Sequence, residues 1–116
     1  MIKRLVYLAV PYSHADPKVV QDRVSKVNQV AARLMREGII VFSPISYCHP
    51  LAIAENLPTD WKYWQEYLEA YMHCCHKLIV LKLDGWETSV GVSAEIKIAR
   101  ELELEIEYME NFIFGE

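Results

Sequence analysis

The chain has no apolar run approaching the roughly 20 residues that a membrane-spanning helix requires. It also has no basic stripe: its 12 Lys and Arg are outnumbered by 16 Asp and Glu, giving a formal net charge of −4. A nucleic-acid duplex is therefore a poor partner for it. Cysteine is scarce, with Cys48, Cys74 and Cys75 in all, an odd number of which two are adjacent. That is no disulfide framework, and it leads us to expect a reducing cytoplasm. Repeats, linkers and low-complexity stretches are absent, as is a G-x-G-x-x-G fingerprint after the first apolar run.

What remains suits one domain. The chain has 116 residues, of which 53% are hydrophobic, enough for a single core. The N-terminal MIKRLVYLAV is basic and then apolar, but PYSH follows in place of a small-residue cleavage site, so it reads as a first core strand and not as a signal peptide. The expected strand spans residues 4–10 and ends at Pro11. Asp16 and Pro17 form a helix N-cap and first helical position. Val20, Val24, Val27, Ala31 and Leu34 trace a helical stripe, and Gly38 stands where a left-handed cap belongs.

Residues 39–42 (IIVF) form a second strand closed by Ser43 and Pro44. SPISYCHPLAIAENLP reads as a long connection with room for one short helix. Thr59 or Asp60 caps a further helix, with Trp61, Trp64, Leu68, Tyr71 and Cys75 along one face. A third strand is expected at 77–83, a helix at about 89–101, a short strand at about 104–109 and then a terminal helical turn. The acids of ELELEIEYME solvate the outer face of these last elements.

Strands alternate with helices and are apolar throughout, which indicates a parallel sheet covered on both faces. The expected fold is a single small doubly wound α/β domain, Rossmann-like or flavodoxin-like, with four to five parallel strands. Such sheets bind ligands beyond the carboxyl ends of their strands. PYSHAD, SPISYCHP and DGWETSVG are the three loops that reach that edge.

The last of these loops leads into a helix with a carboxylate on its apolar side. Glu95 lies three residues after Val92 and four before Ala99, so it shares their face. Burial would raise its pKa and the helix dipole would lower it. It reads as a nucleophile or general base in a half-dry pocket, or alternatively as a carboxylate that snorkels or pairs with an arginine such as Arg23. Gly91, one turn earlier, leaves room for a substrate or another backbone to approach.

YLAVPYS, VFSPI with a following HP, and VLKLDGWETSVGVSAE together resemble the nucleoside 2-deoxyribosyltransferase superfamily, in particular a short branch with PYSH and GW-x-x-S-x-G-x-x-x-E motifs. That superfamily also includes nucleoside 5′-monophosphate N-glycosidases. The resemblance covers nearly the whole chain and is most specific in the spacing of Ser89, Gly91 and Glu95.

It implies that Glu95 is the nucleophile at the anomeric carbon, with a glycosyl ester as intermediate, and that Tyr7 orients it. Ser89 takes the place that an aspartate holds in the transferases and a serine in the monophosphate hydrolases, which favours a phosphorylated substrate. No metal or organic cofactor is implied, and a homo-oligomer is. Two positions depart from the pattern. The family aspartate near the leaving base falls on Leu68 or Tyr67, with Glu69 only a neighbour, so leaving-group protonation must come from elsewhere or activity is weak. The hydrolases' phosphate-loop arginine is missing, with Ser13 and His14 at about that place. A nucleotide-binding or sensing module that has lost turnover is the rival reading.

Other candidates have two readings each. Ser13 and His14 contact phosphate or sugar, or cap the next helix. His49 faces base or phosphate, or shapes the turn before Pro50. Trp86 walls the pocket or packs on another subunit. Trp61, Trp64 and Tyr71 are core or interface aromatics, or a stacking platform. His73, Cys74, Cys75 and His76 have the composition of a zinc site, but lie at the edge opposite the ligand loops and read as structural.

Overall fold

The structure, a computed structural model, describes residues 4–110. Its elements in chain order are β1 (Leu5–Ala9), α1 (Pro17–Arg36), β2 (Ile40–Phe42), α2 (Pro44–Glu55), α3 (Trp61–Met72), β3 (Cys75–Leu81), α4 (Val90–Glu101) and β4 (Glu105–Met109). The four strands form one all-parallel sheet in the order β2-β1-β3-β4. This is the small flavodoxin-like arrangement, with its switch point between β1 and β3.

The covering of the sheet follows from strand order and right-handed crossovers. The step from β1 to β2 runs in one direction and puts α1 on one face, where Val27, Val30, Ala31 and Leu34 pack on Val6, Leu8 and Ile79. The steps from β2 to β3 and from β3 to β4 run the other way. They bring Cys48 of α2, Leu68 and Met72 of α3, and Val92 and Ala99 of α4 over Tyr7, Leu78 and Val80.

Local chemistry fixes the helix ends. The Asp16 side chain accepts from Lys18 N at 2.9 Å, with Pro17 next in line. Gly38 takes a φ of +85° just past α1. Asp60, not Thr59, caps α3 by accepting from Tyr63 N. Ser89 caps α4, its Oγ accepting from Val92 N at 3.2 Å.

Three expectations need correction. SPISYCHPLAIAENLP is not mainly a connection: it contains the 12-residue α2, which runs through Pro50 and stops at Asn56 in a left-handed conformation. The third strand is Cys75–Leu81, not 77–83, so Cys75 belongs to β3 and not to the face of α3. The α1 stripe is rotated from the expected one: Arg23 is buried on it, whereas Val20 and Val24 are only half-buried. The terminal helical turn expected after β4 lies outside the described residues. Along β4, Glu105 and Glu107 are exposed and pair with Lys77 at 3.4 and 2.6 Å. No helix among the described residues is long and apolar enough to cross a membrane.

Candidate active site

The loops that follow β1 and β3, together with the first half of α1 (Lys18, Asp22, Arg23 and Lys26), α2, α3 and the start of α4, enclose a cleft of about 1180 Å³ beyond the carboxyl ends of the strands. It has room for a ligand larger than the usual small-molecule pocket of about 300–1000 Å³ admits. One wall is apolar and aromatic, with Trp61, Trp64 and Leu68 from α3 and Cys48 and Ala52 from α2. The other is polar backbone and hydroxyl, from Asp84, Gly85, Thr88 and Ser89.

Glu95 reaches this cleft from α4 and is 5% exposed. Its partner is Tyr7, fully buried on β1, whose hydroxyl donates to Glu95 Oε2. Burial pushes the carboxyl up to about 8, against the opposing pull of the Tyr7 hydrogen bond. The helix dipole does not offset burial, because its influence fades within the first turn and Glu95 lies beyond it. Burial and the neighbouring carboxylate also hold the Tyr7 phenol well above its ordinary range, so Tyr7 remains a donor. The arrangement is a carboxyl held by one hydrogen bond at the border of core and cleft, able to act as nucleophile, base or acid according to its proton.

Ser89, Gly91, Ser13, His14 and His49 all line the same cleft. Ser89 uses its oxygen as the α4 cap, which leaves its hydroxyl proton to point elsewhere. Gly91 faces the edge of Trp61: a Cβ there would meet Trp61 Cε3 at 3.8 Å, an ordinary contact, so the space expected for a substrate is bordered by an indole. His14 Nδ1 accepts from Asp16 N at 2.9 Å, and Ser13 Oγ donates to Thr59 O at 3.3 Å. Trp86 must be corrected: it does not border the cleft but packs on Tyr108 of β4, with the Lys82 ammonium 5.8 Å from its ring centre.

Trp61 and Trp64 are cleft residues as well as partly buried ones, while Tyr71 stacks on Phe42 at 4.1 Å. The His73–His76 tetrad straddles the α3 cap and the start of β3. Among the described residues no group of three or more His, Cys, Asp or Glu is placed to hold a metal ion.

Two features escaped the sequence reading. Arg23 does not pair with Glu95. It donates to the carbonyls of Ser13 and Asp84, both at 2.9 Å, and so ties the loop after β1 to the loop after β3. The signal was available: Arg23 sits four residues before Val27 on the buried stripe, the same misplaced-charge pattern that singles out Glu95. The second feature is Tyr12, whose hydroxyl lies 2.6 Å from His49 Nδ1, with the two rings edge to face. Nothing in sequence joins two residues 37 positions apart. Cys48, beside this pair, has its thiol pushed by burial to about 11, which rules it out as a ready thiolate nucleophile.

A search of curated proteins finds no match to the chain. A family model described as a domain of unknown function, DUF1937, matches residues 4–111, and the chain belongs to that family.

Proposed function

We propose that the protein is an enzyme that cleaves or exchanges the N-glycosidic bond of a nucleoside or nucleoside 5′-monophosphate, as a relative of the nucleoside 2-deoxyribosyltransferases. The observation that carries this reading is the buried Glu95 carboxyl, aimed into the cleft and held by Tyr7. A carboxylate in such a place can stabilise an oxocarbenium-like transition state and then form a glycosyl ester. Water as the second nucleophile makes the enzyme a hydrolase, and a second base makes it a transferase.

The cleft is divided in a way that suits such a substrate. The aromatic wall of Trp61 and Trp64 accepts a flat base. Ser89 and the first turn of α4 offer a hydroxyl and helix-end amides to the 5′ group, which favours a phosphate. The mechanism calls for no metal or organic cofactor. A homo-oligomer is part of the proposal, supported by exposed aromatic and aliphatic side chains on α2 and α3.

The test is a panel of ribo- and deoxyribonucleoside monophosphates with free base as readout. Glu95→Gln is expected to lower release at least about 10³-fold while the fold survives. Wild-type protein that releases no base from any member would overturn the enzymatic reading. One observation favours a rival: of the two positions where the family aspartate would fall, Leu68 is buried and apolar and Tyr67 is an exposed phenol, so neither brings a carboxyl to the base. A nucleotide-binding module without turnover would raise its melting temperature with ligand and release nothing.

A further inference from the structure

We propose that His49, backed by the Tyr12 hydroxyl, is the acid that protonates the leaving base. The inference rests on the N-glycosidic reading and supplies what that reading lacks. With Leu68 apolar, α3 offers no carboxyl at the expected point. Of the other acids that line the cleft, Asp60 caps α3, Asp22 is paired with Lys26 at 2.9 Å, and Asp84 is exposed in the loop after β3, on the polar wall and not the apolar one. Glu95 is committed to the sugar.

His49 lies instead on the base side. It projects from α2 between Cys48 and Ala52, which contribute to the apolar wall, and it borders the cleft itself. Its Nδ1 is engaged by Tyr12 at 2.6 Å, so Nε2 is the nitrogen left for a ligand. Tyr12 suits the task of backing an imidazole through both of its states. Its phenol oxygen can accept from Nδ1–H both when the ring is charged and in the neutral tautomer left once Nε2 has given up its proton. Cys48 is near enough to act electrostatically on both Tyr12 and Tyr7, the partner of Glu95, and Tyr12, Cys48, His49 and Glu95 all line the same cleft.

The step balances. The C1′–N bond breaks and its electron pair goes to the base. The proton on Nε2 of the His49 imidazolium passes to that base nitrogen, and a Glu95 oxygen closes on C1′. The oxygen of an incoming water, or the nitrogen of an acceptor base, then bonds to C1′ and gives its proton to Nε2 of neutral His49, while the ester bond breaks and its electron pair returns to Glu95.

The experiment compares ordinary purine nucleoside monophosphates with N7-methylguanosine 5′-monophosphate, whose base is already cationic and leaves without a proton. In single-turnover base release, which reads only the first step, His49→Gln is expected to slow the ordinary substrates by about 10²-fold or more and the methylated one by no more than about threefold. Tyr12→Phe should act in the same direction but more weakly. Equal losses on both substrates, or no loss on either, overturn the proposal, and in that case cleavage by wild type that depends on Glu95 leaves the N-glycosidic reading standing. Wild type that cleaves neither substrate removes both.

Discussion

A carboxylic acid surrounded by core has to give up either its charge or its surroundings, and Glu95 gives up its charge over most of the accessible pH range. With its pKa pushed up to about 8, the carboxylate that the proposed reaction requires is the minor form at neutral pH. For N7-methylguanosine 5′-monophosphate, whose base needs no proton from His49, kcat/KM for base release should therefore rise with pH and level off above about 8. Tyr7→Phe removes the one bond that favours the charged form, so the rising limb should move higher, by about one pH unit, and activity at pH 7 should fall. A limb that stays in place would deny Tyr7 its orienting role. The same shift predicts stability. The folded chain holds this proton up to about 8, whereas an unfolded carboxyl releases it near 4.5. The contribution is complete below 4.5 and is lost as pH climbs to about 8. Glu95→Gln keeps an acceptor for Tyr7 and has no proton to lose. It should match the wild type near pH 4 and exceed it at pH 8–9 by about 2 kcal/mol or more, seen as a higher melting temperature.

At the scale of elements, the site is built on a clamp. Arg23 crosses from α1 to two loops, and Gly85, at a φ of +91°, is the residue that lets it do so: a Cβ there would meet the guanidinium at 2.7 Å. Arg23→Met should leave the Ser13 and Asp84 carbonyls without this donor, cost about 2–3 kcal/mol in denaturant unfolding and lower activity by loosening both loops. Stability and activity unchanged from wild type would show that the loops hold themselves. Arg23 also marks where sequence stops being informative. The stripe drawn through Val20 and Val24 was off by a fraction of a turn, and it hid a buried charge among polar neighbours. The full 12-residue extent of α2, where the sequence suggests no more than a short helix, is hidden for another reason. Pro50 in the middle and apolar residues on every side remove the one-faced periodicity by which helices are recognised. β3 was misjudged at its start because only His73 and Cys74 separate it from α3, without the Gly or Pro that usually marks such a change. Glu95 was legible because Val92 and Ala99 define its face unambiguously, and β1 because its apolar run is closed by proline.

Across the whole molecule, alternation of apolar strands and helices was enough to give a parallel doubly wound sheet and the edge on which its ligand loops meet. Which side chains touch was not, because Tyr12 with His49 and Arg23 with Asp84 are pairings of distant chain segments that only folding brings together. The same architecture leaves one flank uncovered. Of the nine large hydrophobic side chains exposed among the described residues, Tyr47, Leu51, Ile53, Tyr63 and Tyr67 lie on α2 and α3, and Ile53 is 66% exposed. Helices that carry such residues beside a cleft are the natural place for a second copy to sit. Sedimentation of the purified chain should give a dimer or larger assembly, and Ile53→Lys together with Tyr63→Lys should shift it to monomer, because a buried ammonium without a partner costs several kcal/mol per site. Base release should fall with that shift if a neighbouring copy helps close the cleft. It should persist if α2 and α3 of one chain are wall enough. A wild-type monomer at micromolar concentration would remove the homo-oligomer and leave the cleft to be completed by its own chain.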